Sequence, residues 1–417
     1  MALEVSFRQL VKSVPSTTYA THGLYMHPAK FIPHVVRFAL EKYSKEGDTV
    51  FDPFAGHGTV GIEAKILNRN AVLWDLNPMS RVLALASMYD GELRKSDFIL
   101  KDDSGCEFVP SWSNIDYWYP EEFLNYLSKL WGFWHYNIYE RYKDRNLEAK
   151  AFVLSIPLFK ITRYFSWADE KIAKTYRSKY AKRKVESLLK GNWKAVLWNM
   201  YWKNVNVVIR KVSEFKRYRP HKIDVVIKTS WKNNDKLAIF DSIVNKVDRH
   251  IDLLITSPPY LQAQEYIRSF KLELAWLGYN DRDLRELSSR EIPYNNPPET
   301  NIRSNTYWSV REIIEGYNNK KLLKLYDAYF KSILGFFERN QDVVDTMAIF
   351  VGPVKVRTLR VPIDEIIREH MEAHGWRHVA TYIDTIKSRR LFESRINPAT
   401  GILDERTPTE HLLVITK

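Results

Sequence analysis

The chain has 417 residues, 45% of them hydrophobic, and a formal net charge of +13. This composition is typical of a well-packed globular protein with one large domain and an insertion, or with two to three domains. No apolar run reaches the roughly 18 residues of a membrane span, and the first twelve residues lack the apolar stretch of a signal peptide, so we expect a cytoplasmic protein with no membrane partner. The single cysteine, Cys106, excludes an internal disulfide and a cysteine-based zinc site.

Strands and helices alternate in residues 21–90. The hydrophobic pattern predicts strands at 49–53 and 71–75 and helices at 58–67 and near 78–89. At the first strand–helix junction, Gly56 and Gly58 would let the backbone turn tightly and approach a ligand, and the following helix would present free N–H groups to it. Asp75 ends the second strand, where a carboxylate suits the two hydroxyls of a ribose. The third glycine of a dinucleotide fingerprint is absent.

Residues 91–221 break this alternation and are aromatic, basic and mostly helical in period. The stretch is too long for a loop, so we interpret it as an inserted helical subdomain. Its segment 160–222 holds 18 lysines and arginines against four acidic residues, together with eleven aromatic residues. Basic groups neutralise phosphates and aromatic rings stack on bases, which favours a polyanion partner over a solvated helical face. The residues that we predict to bind DNA are Arg163, Lys182, Arg183, Lys184, Arg217 and Arg219.

The alternation resumes in residues 222–417. Residues 280–305 are polar, contain three prolines and are predicted to form a mobile loop. Around this loop the pattern predicts strands at 223–228, 251–256, 347–351, 377–384 and 411–416, and helices near 236–248 and at 263–277, 320–338 and 361–374.

The strand predicted at 251–256 runs directly into Ser257-Pro258-Pro259-Tyr260. Prolines have no N–H donor and a fixed φ, so the chain must leave the sheet there as a stiff loop. The loop offers a hydroxyl, carbonyl groups and an aromatic face. These are the groups needed to hold a flat base by its exocyclic amino group.

Together these elements resemble the S-adenosylmethionine-dependent amino-methyltransferases, which modify adenine N6 or cytosine N4 in DNA. Residues 50–59, VFDPFAGHGT, match motif I; Asp75 matches motif II; residues 25–33 match motif X; and residues 257–260 match motif IV. The resemblance implies an α/β fold, a Rossmann-like class I methyltransferase sheet with helices on both faces. It also implies an S-adenosylmethionine site made by His27, Pro28, Lys30, Phe31, Asp52, Pro53, Phe54, Gly56, Gly58, Thr59, Asp75 and Asn77.

The motif order X, I, II, insertion, IV is similar to the α arrangement of this family, in which the insertion is the target-recognition region. We therefore expect residues 1–90 to carry motifs X, I and II, residues 91–221 to form the DNA-recognition subdomain, and residues 222–417 to complete the core. The sequence of residues 256–268 resembles that of a subgroup of prokaryotic DNA modification methylases. The resemblance implies double-stranded DNA as the substrate and a cognate restriction endonuclease encoded nearby.

The residues expected to carry the reaction are Ser257, Pro258, Pro259 and Tyr260. Ser257 and the carbonyl of Pro258 would accept the hydrogens of the target amine, and Tyr260 would stack on the flipped-out base. In the family, serine at the first position accompanies cytosine N4 more often than adenine N6, so we favour cytosine N4. Adenine N6 is the alternative, followed by RNA methylation. A non-catalytic DNA-binding protein on a methyltransferase scaffold is the alternative from another class.

Other residues limit the chemistry. No acid follows the third strand, where residues 229–231 read Thr-Ser-Trp, so the contact to the adenine ring of the cofactor is left open. Cys106 does not lie in a Pro-Cys loop, which excludes methylation of cytosine C5. His57 is expected to face solvent. His370 and His374 have the spacing of metal ligands on a helix, but the sequence offers no third ligand beside them, and we expect no metal.

Overall fold

The computed structural model describes residues 2–27, 30–143, 147–172, 174–233, 235–261, 265–385 and 409–417. Within these ranges, eight strands form one sheet and four others form two hairpins. The strands are β1 Ala2–Val5, β2 Thr49–Asp52, β3 Asn70–Asp75, β4 Val225–Thr229, β5 Trp231–Asn233, β6 Lys236–Ala238, β7 Ile251–Thr256, β8 Val344–Val351, β9 Val354–Val356, β10 Leu359–Val361, β11 Arg377–Thr385 and β12 Thr409–Thr416.

The sheet has the strand order β1-β11-β12-β8-β7-β2-β3-β4. Strand β12 runs antiparallel to β8 and β11, whereas the other neighbouring pairs are parallel. The chain moves from β2 outward to β3 and β4 and then returns to β7 on the other side of β2. Open α/β sheets bind ligands at such a reversal, beyond the carboxyl ends of the strands. The predicted Rossmann-like class I fold is confirmed by this order.

Helices cover both faces of the sheet. In chain order they are α1 Phe7–Leu10, α2 Pro33–Tyr43, α3 Thr59–Leu67, α4 Pro78–Ser87, α5 Ile115–Trp118, α6 Glu121–Phe133, α7 Glu140–Lys143, α8 Glu148–Tyr164, α9 Lys179–Leu189, α10 Trp193–Arg217, α11 Tyr266–Ser269, α12 Lys271–Trp276, α13 Asp281–Ser289, α14 Asn305–Gly316, α15 Lys320–Asn340 and α16 Ile363–Glu372. A π-helical segment, Trp134–Tyr139, joins α6 to α7, and 3₁₀ turns lie at Ala20–Gly23, Lys95–Phe98 and Gln341–Val343.

Local signals set the helices that face the reversal point. Helix α3 begins after Gly58 (φ 84°) and ends at Asn68 (φ 60°), two left-handed positions that suit these residue types. Helix α4 is capped by Asn77, whose side chain accepts the N–H of Met79, and Pro78 occupies its first position. Both helices therefore start where β2 and β3 end.

Apolar side chains alternate between the two faces of the central strands. Phe51 and Leu254 pack in the cluster that contains α15 and α16, whereas Val50 and Leu253 pack in the cluster that contains α2 and α3. A third cluster joins α6, α8 and α10 of the insertion to α4 and α12. The insertion therefore shares a continuous apolar core with elements from both sides of it in the sequence.

Some expected elements differ in the structure. The predicted helix at 236–248 is wrong, because residues 236–238 form the second strand of a hairpin and turns follow it. The predicted loop at 280–305 contains α13, which starts at Asn280 with a reciprocal capping box to Asp283, a signal visible in the sequence. Residues 2–5, for which the sequence analysis predicted no strand, form β1, which pairs in parallel with β11 at the sheet edge.

No helix in the described part of the chain combines the length and the apolarity needed to cross a bilayer.

Candidate active site

A cleft of about 870 Å³ opens at the reversal point, beyond the carboxyl ends of β2 and β7. It collects residues from distant parts of the sequence. Those named above that line it are His27, Lys30, Phe31, Phe54, Gly56, His57, Thr59, Asp75, Asn77, Ser257 and Pro259. The structure thus brings together parts of motifs X, I, II and IV. Asp52, Pro53, Gly58, Pro258 and Tyr260 are not among the lining residues.

Asp52 ties the two central loops together at the base of the cleft. It is buried, and its Oδ1 accepts hydrogen bonds from Thr256 Oγ1 at 2.7 Å and from the Phe54 N–H at 3.1 Å. Burial raises the pKa of the Asp52 carboxyl to about 7. Since Thr256 is the last residue of β7, Asp52 fixes the motif IV loop to the motif I loop.

The glycine turn approaches the cleft through its backbone. Gly56 has φ 50°, and its N–H donates to Asp75 Oδ2 at 2.8 Å. A Cβ at Gly56 would lie 2.9 Å from Cε1 of His27, and one at Gly58 would lie 2.8 Å from Cβ of Ala84. Gly56 therefore leaves room for the motif X segment above it, whereas Gly58 lets α4 pack closely.

The floor of the cleft near β3 offers polar groups for a ribose. Asp75 Oδ1 accepts the N–H of Asn77 at 2.8 Å, and burial raises the pKa of the Asp75 carboxyl. The Nδ2 of Asn77 is buried and has no protein partner among the described residues. A buried donor of this kind is costly unless a ligand satisfies it.

Asp241 is an acid that follows β4 and that the sequence analysis did not single out. It lines the cleft beside Ser242 and Ile243, is buried, and accepts the Ile243 N–H at 3.0 Å. The hairpin β5–β6 separates it from β4 and displaces it by about ten residues from the expected position. Asp235, with φ 63° before the second strand, is the turn signal that sequence reasoning missed.

Basic groups line the motif X end of the cleft. Lys30 Nζ donates to the carbonyl of His22, and burial lowers the pKa of Lys30 to about 7. His57 is buried, and neither ring nitrogen has a partner among the described residues, so the expectation that it faces solvent is wrong. Burial, with Lys30, His27 and His22 nearby, holds the pKa of His57 well below its usual range. Pro28 lies outside the described residues.

A buried carboxylate supports this end from below. Glu63 of α3 accepts from Arg37 Nε at 2.6 Å, lies 2.7 Å from His22 Nε2, and contacts the Tyr19 hydroxyl. The network fixes the segment around His22 to α3. The sequence signal for this network was an acidic residue, Glu63, within a mainly apolar helix pattern.

The motif IV loop faces the cleft with two of its four residues. Ser257 and Pro259 line it, Pro258 is buried, and Tyr260 is half-buried with its hydroxyl donating to Glu410 Oε1 at 3.2 Å. Glu291 closes the opposite wall and accepts the N–H of Ile267 at 2.9 Å. Burial raises the pKa of Glu291 to about 8.

The predicted DNA-binding residues fall into two groups. Arg163 is buried and donates to Glu273 Oε1 at 3.0 Å, and the nearly buried Lys184 pairs with Glu170 at 2.8 Å. These internal contacts argue against the expected phosphate contacts of these two residues. The other members, which are exposed, are Lys182, Arg183, Arg217 and Arg219.

The histidine pair on α16 has a neighbour that the sequence did not reveal. Glu338 of α15 lies 3.5 Å from His374 Nε2 and 3.9 Å from His370 Nε2, so the expectation of no third ligand is wrong. His370 Nδ1, however, accepts the Arg303 N–H at 3.1 Å, which puts the proton of the neutral ring on Nε2. A protonated Nε2 has no lone pair for a metal.

Comparisons with known proteins agree with this site. A DNA methylase family model of the N6/N4 type matches residues 9–83, which hold motifs X, I and II. The Type II methyltransferase M.BsoBI of Geobacillus stearothermophilus is 22% identical over 440 residues, 92% of this chain and 83% of that protein. The Type II methyltransferase M.MvaI of Kocuria varians is 21% identical over 442 residues, 96% and 92% of the two chains. Over most of its length the chain is thus similar to amino-methyltransferases of the restriction–modification type.

Two shorter or weaker similarities complete the comparison. The Type II methyltransferase M.MjaII of Methanocaldococcus jannaschii is 29% identical over 85 residues, 20% of this methyltransferase and 16% of that protein. The solved rRNA methyltransferase aviRa from Streptomyces viridochromogenes aligns with 99% of this chain and 96% of its own, at a TM-score of 0.31 and 10% identity. The fold assignment rests on the strand order and not on that alignment.

S-adenosylmethionine is the methyl donor of this methyltransferase. The cleft fits such a group on its own geometry. The buried Nδ2 of Asn77 and both ring nitrogens of His57 have no partner among the described residues and are available to such a ligand. Two residues of motif IV, Ser257 and Pro259, line the same cleft as Asp75.

Proposed function

We propose that this DNA methyltransferase is site-specific and transfers a methyl group to N4 of a cytosine that is flipped out of double-stranded DNA. The observation that supports the proposal is the position of Ser257. It lines the same cleft as Gly56 and Asp75, so a base held at Ser257 would lie next to a cofactor held at the other two. A base inside a duplex cannot reach such a cleft, so the target must leave the stack.

The motif IV loop is proposed to hold the target amine. The lone pair of an exocyclic amine is delocalised into the ring, so the nitrogen is a poor nucleophile until hydrogen-bond acceptors pull on its hydrogens. Ser257 Oγ and the carbonyl of Pro258 would accept those hydrogens and favour the charge that develops on nitrogen. Tyr260, held through its hydroxyl by Glu410, would stack on the base.

The remaining residues are proposed to bind and orient the cofactor, which supplies the methyl group. Asp75 and Asn77 would hold the ribose, and Asp241 would contact the adenine ring. His27, Lys30 and Phe31 would hold the methionine end. Placing the two reactants in line would supply much of the rate acceleration. Asp52 would act indirectly, because it does not line the cleft but joins the motif I loop to the motif IV loop.

The choice of cytosine N4 rests on the serine of motif IV. A serine hydroxyl is a single group that both donates and accepts, whereas the asparagine or aspartate more common in adenine N6 enzymes offers a planar oxygen. Adenine N6 is the competing assignment. We further propose that the exposed basic residues of the insertion contribute phosphate contacts and that a cognate restriction endonuclease is encoded nearby.

Mass spectrometry of nucleosides tests the proposal directly. DNA treated with the wild-type protein and S-adenosylmethionine should contain N4-methylcytosine, and DNA treated with a Tyr260→Ala variant should contain much less. N6-methyladenine in place of N4-methylcytosine would keep the enzyme class and overturn the base assignment. 5-Methylcytosine would overturn the whole mechanism, because Cys106 lies outside the cleft and no other cysteine exists.

A further inference from the structure

Residues 166–172 and 174–178 form a connection between α8 and α9 that is fixed at both ends; we call it the tethered loop. Arg163, at the end of α8, donates from Nη1 to the carbonyl of Ser269 at 3.1 Å and from Nη2 to the carbonyl of Ile172 at 3.1 Å. Thr175 Oγ1 donates to the same Ser269 carbonyl at 3.3 Å. The buried arginine therefore fixes the tethered loop to α11.

The tethered loop is also braced internally. Asp169 is buried and accepts from the Lys171 N–H at 3.0 Å and from Ser178 Oγ at 2.6 Å. Its own N–H donates to the carbonyl of Tyr176 at 2.8 Å. These bonds hold the described backbone on both sides of the tip in place.

The tethered loop lies beside the candidate active site. Helix α11 lies between the tethered loop and the cleft, since Tyr266 and Ile267 of α11 line the cleft while its last residue, Ser269, binds the loop. Lys174 Nζ also pairs with Glu265, the residue before α11, at 3.2 Å. The tethered loop is thus one short helix away from the motif IV loop.

The exposed side of the tethered loop has the chemistry of a nucleic-acid surface. Five exposed lysines and arginines follow one another in the tethered loop and the first turns of α9, with no acidic residue between them: Lys171, Lys174, Lys179, Lys182 and Arg183. Tyr176 is 54% exposed and Ile172 is 39% exposed. Cationic side chains with projecting apolar groups are the combination by which proteins contact phosphates and enter a base stack.

We propose that the tethered loop binds the duplex beside the target base and that Tyr176 enters the space that the flipped base vacates. This inference rests on the proposed base flipping. The exposed Lys171 and Lys174 would hold the flanking phosphates. A flipped base leaves a gap in the stack, and a side chain that fills the gap keeps the base outside.

The structure also supplies a matched control. Tyr136 is 56% exposed, as Tyr176 is, but lies on the π-helical segment between α6 and α7 and has no described contact with α11. A Tyr136→Ala change removes the same side chain from a comparably exposed site. Tyr176→Phe keeps the ring and removes only the hydroxyl.

The test compares two oligonucleotide duplexes that carry the methylated site found by sequencing DNA from expressing cells. In the first, the target base is paired. In the second, it faces an abasic position and is already free to leave the stack. Tyr176→Ala should lower kcat/KM by about 10- to 100-fold on the paired duplex and by no more than about 2-fold on the abasic duplex. Tyr176→Phe and Tyr136→Ala should match the wild type on both.

Equal losses on the two duplexes would overturn the proposal, because they would show a general binding or folding defect. Unchanged activity on the paired duplex would overturn it as well. Binding of S-adenosylmethionine, measured by calorimetry, should be the same in all variants and reports their folding. If the wild type methylates neither duplex, the proposed function itself fails, and this result is distinguishable from a failure of Tyr176 alone.

Discussion

The two sides of the cleft are built in different ways. The cofactor side is made by short loops at the ends of adjacent parallel strands, and its polar groups bind one another through backbone N–H groups, as Asp75 does with Gly56 and Asn77. The side proposed to meet DNA depends on the insertion, of which no described residue lines the cleft and which supports it through long-range side-chain contacts, such as those of Arg163 with Ser269 and Glu273. Geometry on the first side is local, whereas on the second it depends on tertiary packing.

The largest effect is expected on the cofactor side. Gly56→Val should abolish binding of S-adenosylmethionine, a loss of at least about 100-fold in calorimetry. The new Cβ would lie 2.9 Å from Cε1 of His27, and valine disfavours φ 50°. Gly105→Val is the control, since Gly105 has φ 73° but nothing within 4 Å of a new Cβ. Normal affinity in Gly56→Val would contradict the site.

Removing a buried ion pair should lower the free energy of unfolding far more than removing an exposed one. Arg163→Met leaves the buried Glu273 with the Tyr25 hydroxyl but without its cationic partner, and should lower the free energy of unfolding by about 3–5 kcal/mol. Lys182→Met removes an exposed pair with Glu186 at 3.9 Å and should cost less than about 1 kcal/mol. Urea denaturation measures both. Equal losses would show that Arg163 does not anchor the insertion as its contacts indicate.

Turnover should separate the residues of motif IV. Tyr260→Ala should keep cofactor affinity and lower kcat by roughly 10- to 100-fold, since stacking on one base contributes about 1–3 kcal/mol. Ser257→Ala should cost less, provided that the Pro258 carbonyl makes the main hydrogen bond to the amine. Single-turnover methylation compares them. A larger loss in Ser257→Ala would make the hydroxyl the principal acceptor.

Positions on the cofactor side, which depend on local sequence, were predicted well. Contacts of the insertion, which depend on tertiary packing, were predicted poorly, for a physical reason. Gly56, Asp75 and Ser257 mark strand ends whose conformation depends on a few neighbouring residues, so their positions could be inferred from the motif alone. Arg163 and Lys184 look the same in the sequence as Lys182, because a basic residue on a helix carries no mark of its partner. Their partners, Glu273 and Glu170, are identified only when the chain is folded.

The same reason explains why two residues near the cleft were not predicted correctly. Asp241 was missed because a hairpin displaces it from the strand that it serves, and His57 was assigned to solvent because the motif X segment covers it only after folding. The turn at Asp235 was a readable signal, whereas the burial of His57 was not.

Salt dependence should show which basic residues reach phosphates. Changing Lys182 and Arg183 together to alanine should lower the slope of log K against log salt concentration by about 1.8 if each contacts one phosphate. Lys184→Ala should leave the slope unchanged, because Lys184 is nearly buried against Glu170. Fluorescence anisotropy with a duplex oligonucleotide at several salt concentrations measures both. An unchanged slope in the double variant would show that this pair is only a solvated face.

The pH dependence of stability tests Glu291, which accepts the N–H of Ile267 at the wall of the cleft. Burial raises its pKa from the ordinary value of 4.5 to about 8, so between these values the folded protein holds a proton that the unfolded chain has released. The associated stability is present below pH 4.5 and is lost as pH rises through about 8. Glu291→Gln should therefore flatten the fall in unfolding free energy across this window. Glu286→Gln, in the partly exposed acid of α13, should leave the fall unchanged. The same slope in wild type and Glu291→Gln would mean that Glu291 is ionised in the fold and that the wall of the cleft is open to water.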